Sequence, residues 1–160
     1  MMLNISSSSF DNRNELLTAT QRSVKTVPFV ELFNGRLQGV ISSGSNLDRV
    51  YVSFFEAGTL NYYCSTNNNR PCGGLRGYPC KHLYQLLEEA TYTYGVKEVA
   101  KYLKISGDIS QINNAYDFPI NSGIIKKESA SNVFSRFLNY LHYLEIKSSS
   151  QPIPEMNWFV

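Results

Sequence analysis

All three cysteines of this 160-residue chain fall in one short stretch, YYCSTNNNRPCGGLRGYPCKHLYQLL, from Tyr62 to Leu87, together with His82, one of two histidines. Cys64, Cys72, Cys80 and His82 fall within nineteen positions. Between them lies a segment rich in Asn, Gly and Pro, which on its own has too little apolar surface to order itself. A chain that gathers its thiols there must fold so as to bring them together. The count and types match a closed tetrahedral Cys3His site, the ligand set preferred by zinc, a borderline-soft ion. The expected cofactor is one structural Zn2+ ion held by Cys64, Cys72, Cys80 and His82.

The flanking sequence supplies a scaffold. VPFVELF (27–33), RLQGVISS (36–43), RVYVSFF (49–55) and LNYYCS (60–65) read as strands, and the last two form a hairpin across a Gly-containing turn. Their alternation is soft, so at least one strand is expected to be covered on both faces. In CKHLYQLLEEATYTYG, Leu83, Leu86, Leu87, Ala90 and Tyr94 recur at helical spacing, with Pro79 before the start and Gly95 past the end. VKEVAKYLKI continues helically, and residues 106–127 read as mixed loop. A last helix runs from about Ser129 to Ile146, with Val133, Phe134, Phe137, Leu138, Leu141 and Leu144 on its apolar face and Ser129 as its cap. The expected class is α+β: a small β-hairpin or meander, then a zinc-anchored helix, then further helices. The domain spans 26–146, between a flexible segment 1–25 (with a short helix at 14–24) and a tail, 147–160.

On this scaffold Cys64 ends a strand, Cys72 sits in a wrapping loop, and Cys80 and His82 open a helix, where exposed N–H groups favour thiolate. Gly73 and Gly74 are candidate donors to the Cys72 sulfur. Other uses of the thiols fit less well. A disulfide would leave one cysteine over in a chain with no secretory signal. A catalytic Cys–His pair on one turn would leave little room for a substrate. An iron–sulfur cluster is not usually ligated at this spacing. His142 reads as a helix-face residue.

CKHL opening an amphipathic helix, after a hairpin and YYC, resembles the SWIM-type zinc finger, whose pattern is C-x-C, a variable gap, then C-x-H. Here the C-x-H pair is Cys80-Lys81-His82, and Cys64 is the first ligand. The second position of C-x-C reads Thr66, so Cys72 would replace it from the loop. The likeness spans roughly residues 36–94 and implies association with DNA and with protein partners.

The net charge of +2 is too small to argue nucleic-acid binding. Its excess is local: residues 70–104 carry Arg70, Arg76, Lys81, Lys97, Lys101 and Lys104 against Glu88, Glu89 and Glu98. Those six side chains are the candidate contacts to a nucleic acid, with Tyr78 available to stack. Zinc bound by three thiolates would add −1 to that region. A saturated zinc site leaves no open position for water, and CGGLRG lacks the Lys-Ser/Thr of a phosphate-binding loop, so no enzymatic activity is expected. Glu88-Glu89 reads as a solvated face. No apolar run reaches the length of a membrane span, and a cytoplasmic location is expected. The function anticipated is a non-catalytic zinc-stabilised binding module, a subunit or adaptor in a protein assembly that can be DNA-associated, with no small-molecule substrate and no membrane. The alternative is a direct nucleic-acid-binding protein. The terminal Trp158-Phe159-Val160 could dock on a partner or on the chain's own core.

Overall fold

Residue parity along the strands decides the architecture. A computed structural model describes residues 26–43 and 49–147. Segment 1–25 with its expected 14–24 helix, residues 44–48 and the tail beyond Lys147 lie outside those residues. Strands β1 (Phe29–Phe33), β2 (Arg36–Ser42), β3 (Val50–Glu56) and β4 (Tyr62–Thr66) form one antiparallel meander in the order β1-β2-β3-β4. Phe55 pairs with Leu37 and Tyr62, Ser53 with Cys64, and Tyr51 with Thr66. Successive side chains point to opposite faces of a strand. Leu37, Ile41, Phe55, Tyr62 and Cys64 therefore share one face and one core, while Phe29, Val40, Val50 and Val52 build a second core on the other.

Helices cover both faces, which is why the alternation looks soft in the sequence. On the first face lies α1 (Lys81–Tyr94), with Leu83, Leu86, Leu87 and Ala90 buried, as its helical periodicity predicts. Tyr94 leaves the core and hydrogen-bonds from its hydroxyl to the Val30 carbonyl at 3.2 Å. The helical run does not continue unbroken. The chain turns at Gly95 (φ 93°) into a separate short helix, α2 (Val96–Tyr102), and Lys104 (φ 55°) leaves it. The loop over 106–127 contains three single 3-10 turns at Ile109–Gln111, Ala115–Asp117 and Ile120–Ser122. Residues 124–126 then run along β4: the Tyr62 N–H donates to the Ile124 carbonyl and the Lys126 N–H to the Tyr62 carbonyl, at 3.0 and 2.9 Å. This pairing covers the β4 edge.

The second face is covered by α3 (Ser131–Lys147). Val133, Phe137 and Leu141 are buried in the second core, with Phe134 packed at its edge, whereas Leu138 is exposed. Arg136 fixes the helix to the sheet through Glu31, with Nε and Nη2 donating at 2.5 and 2.9 Å, while its guanidinium lies over the Phe33 ring. The helix starts two residues later than Ser129, whose hydroxyl still accepts the Ser131 N–H at 3.3 Å.

Gly39 in β2 is the seat of α1. A Cβ there would lie 2.3 Å from the Phe29 carbonyl oxygen and 2.7 Å from Leu86 Cδ1. The backbone oxygen cannot step aside without distorting the β1–β2 pairing. Gly39→Ala is expected to destabilise the fold by about 1–3 kcal/mol through this overpacking. Urea midpoints at unchanged m-value read the effect; an unchanged midpoint would show that α1 can lift away freely.

Candidate metal centre

Cys64 lies in β4 opposite Ser53, on the face that α1 covers. After Thr66 the chain reverses tightly. The Asn69 N–H donates to the Thr66 carbonyl at 2.9 Å, and the Thr66 N–H donates to the Arg70 carbonyl at 2.8 Å. Asn69 itself takes a positive φ of 64°, which asparagine tolerates better than most residues. Ser65 bridges Pro71, and the Cys72 N–H donates to the Cys64 carbonyl at 3.0 Å. The Asn-rich segment is thus a hairpin return that lays Cys72 beside Cys64. Of the two glycines expected to donate to sulfur, Gly74 does so, its N–H reaching Cys72 Sγ at 3.4 Å. A Cβ on Gly74 would sit 3.1 Å from Cys80 Cβ and 3.6 Å from Cys72 Sγ, so the turn admits little more than a hydrogen there.

Cys80 is the N-cap of α1, in extended conformation and with no side-chain cap. Two residues on, His82 turns back into the same space. Its Nδ1 lies 3.4 Å from Cys72 Sγ and 3.9 Å from the sulfurs of Cys64 and Cys80. The four potential ligand atoms lie within 4.8 Å of one another, and all four residues are buried. For a tetrahedral zinc ion with Zn–S of about 2.3 Å and Zn–N of about 2.0–2.1 Å, S···N separations of about 3.5 Å follow. The observed spacing therefore fits such an ion with small adjustment. None of the three cysteines is in a disulfide.

The electrostatics ask for a cation. Hydrogen bonds to Cys72 and Cys80, reinforced by burial, raise the Cys64 thiol far above its ordinary range. The same proton serves its neighbours: the Cys64 hydrogen bond is the main influence lowering Cys72 to about 6 and Cys80 to about 4, with backbone N–H groups of Gly74 and Leu83 assisting. Burial opposes a charged His82, but its hydrogen bonds to Cys80 and Cys72 and the charge of those thiolates outweigh it and raise its pKa. Without a metal ion the cluster holds its negative charge only by retaining protons on Cys64 and His82. A divalent cation replaces both. The buried Ser53 hydroxyl sits beside Cys64 on the neighbouring strand, where it favours the thiolate form of that sulfur.

Sequence spacing missed two neighbours of the centre. The Tyr51 ring stacks on His82, with centroids 3.8 Å apart and planes at 17°. Strand parity is the signal that would have found it, since Tyr51 and Ser53 share the Phe55 face of β3. The six basic residues are all exposed, but they are not one surface. Arg70, Arg76 and Lys81 belong to the segment that holds the centre. Lys97 turns its ammonium onto the carbonyls of Ile109 and Ile112 at 2.7 and 2.9 Å, and Lys101 pairs with Glu98. Lys104 follows Leu103, whose carbonyl accepts the Gly58 N–H in the β3–β4 turn, at the opposite end of β4 from Arg70. Tyr78 is 58% exposed, and His142 is exposed on α3. Glu88 accepts a hydrogen bond from the Tyr116 hydroxyl at 2.5 Å. No helix of the described residues is long and apolar enough to cross a membrane. Searches of protein-family models, curated proteins and solved structures return no match.

Two outcomes follow from this geometry. Elemental analysis is expected to find one metal ion per wild-type chain and a marked loss in Cys72→Ser; equal metal in both would remove Cys72 from the ligand set. Metal binding must also expel protons from Cys64 and His82, whose pKa values are raised, so affinity falls as pH falls. Competition with a chromophoric chelator is expected to show a loss of at least about tenfold between about pH 8 and about pH 6. A pH-independent affinity would contradict the ligand assignment.

Proposed function

We propose that this chain is a non-catalytic, zinc-stabilised binding module acting as a subunit or adaptor in a protein assembly. The observation that carries the reading is the closed centre: four buried protein ligand groups converge, as in structural zinc sites, which keep no position open for water or substrate. Three thiolates and an imidazole favour zinc over harder cations. The order of strand ligand, hairpin and C-x-H at a helix start supports the resemblance to the SWIM-type zinc finger, with Cys72 supplied by the hairpin return. In that reading zinc contributes folding energy and no chemistry, and holds the 64–82 segment in shape.

An assembly partner is supported by the surface beyond the centre. Tyr92 and Tyr116 are 88% and 69% exposed, and Tyr116 is held by stacking on Tyr84 as well as by Glu88. A fixed, exposed ring such as Tyr116 contributes strongly to a protein interface, because little side-chain entropy remains to be lost on binding.

The test is affinity capture with tagged full-length protein, comparing wild type with Tyr92→Ser/Tyr116→Ser and Cys80→Ser. A discrete partner retained by wild type, lost with the tyrosine pair at unchanged metal content, and lost with Cys80→Ser is the expected result. Recovery of the same partner by all three would remove both the aromatic surface and the metal centre from the binding role. A metal other than zinc in the purified protein would overturn the assignment of the ion.

A further inference from the structure

Next to the metal centre, at the end of the sheet where β3 begins and β4 ends, a cleft of about 450 Å³ opens to solvent. Arg49, Tyr51, Thr66, Asn67, Asn68 and Arg70 line it, and among the described residues no carboxylate does. Among the described residues, neither the Arg49 nor the Arg70 guanidinium has an ion-pair partner. Arg70 is not on a loose loop. Its carbonyl accepts the Thr66 N–H at 2.8 Å, and its own N–H donates to Thr66 Oγ1 at 3.2 Å. Tyr51 is equally fixed, since one face of its ring lies on the His82 imidazole.

The chemistry of this lining is selective. Two guanidiniums lining one cleft suit a phosphate, each able to donate two parallel hydrogen bonds to it. A fixed aromatic ring beside them offers a platform for a flat π-system. The amides of Asn67 and Asn68 carry both donors and acceptors, as the edges of a nucleobase require. A simple inorganic anion would use the arginines and leave the ring and amides unused.

We propose that the cleft binds a nucleotide, free or as a unit of a single strand, with its phosphate on Arg49 and Arg70 and its base against Tyr51. Of the six basic residues expected from the sequence, this site keeps Arg70, adds Arg49 and Tyr51, and does not use Arg76, Lys81, Lys97, Lys101 or Lys104. It also ties ligand binding to the metal centre, because a bound ion would orient His82, His82 backs Tyr51, and the hairpin that delivers Cys72 also carries Arg70. The inference goes beyond the binding-module reading and shares with it only the filled metal centre.

Fluorescence anisotropy of metal-loaded, full-length protein with a labelled oligothymidylate of about a dozen nucleotides, at low and moderate salt, tests it. Free thymidine monophosphate and a phosphotyrosine peptide serve as competitors. Arg49→Gln and Arg70→Gln, both at exposed positions, are each expected to weaken strand binding roughly tenfold and to reduce the salt slope by about 0.7. Tyr51→Leu is expected to lose about tenfold through stacking, and Lys104→Gln to match wild type. Strong competition by the monophosphate identifies a free nucleotide as the ligand, and weak competition identifies the strand; either supports the site. The proposal is overturned if neither nucleotide ligand binds at low salt, if both arginine variants bind as wild type does, or if only the phosphopeptide binds. Metal content is measured on every sample. Loaded protein that binds no nucleotide overturns the cleft and leaves the binding-module reading standing, whereas unloaded wild type fails the metal centre itself.

Discussion

Three sulfurs and an imidazole nitrogen held within 4.8 Å of one another, out of water, are the constraint around which this structure is arranged. Thiolates so close repel one another, and burial strips away the water that would screen them. Retained protons or a cation must settle the charge. Three elements deliver the ligands: a strand and the first turn of a helix that share one apolar core, and a hairpin return built on Asn and Pro that contributes little to that core. Tying them at one point converts a polar segment with little apolar surface of its own into a fixed part of the fold.

The rest of the sheet makes that point reachable. Its two faces are both covered, α1 and α2 on one and α3 on the other. The parity that sends Leu37 and Phe55 toward α1 also sends Cys64 there. Gly39 lets α1 approach β2 closely enough for Leu86 to touch the backbone, and this sets the height of the helix over the sheet. His82 lies one turn before Leu86 on α1, so the seat of the helix and the position of the imidazole are one geometric fact.

The centre reaches the surface through aromatic contact. Tyr51 backs His82 with one face and lines the cleft beside Arg70, so the order imposed by the ligands extends to a solvent-facing wall. From the same hairpin, Asn69 Oδ1 accepts the Ala130 N–H at 2.8 Å, linking it to the start of α3. One short return thereby connects the ligand set, the cleft and the helix on the opposite face.

The sequence by itself determined the α+β class, the four strands, the helix at Lys81–Tyr94 and the last helix, because each is written in local periodicity and turn chemistry. It also named the four residues that converge, since clustered thiols in a polar loop have few other uses. It ended the first helix at Gly95, as the structure does, but it put Leu138 on the apolar face of the last helix where the sheet does not reach. Only the tertiary structure decided that Cys72 returns beside Cys64 by a hairpin, that Tyr51 stacks on His82 at the centre, and that the basic residues divide between two ends of β4. Those facts depend on strand register and on which face each helix covers. Both are set by contacts between residues far apart in the chain, which no local pattern records.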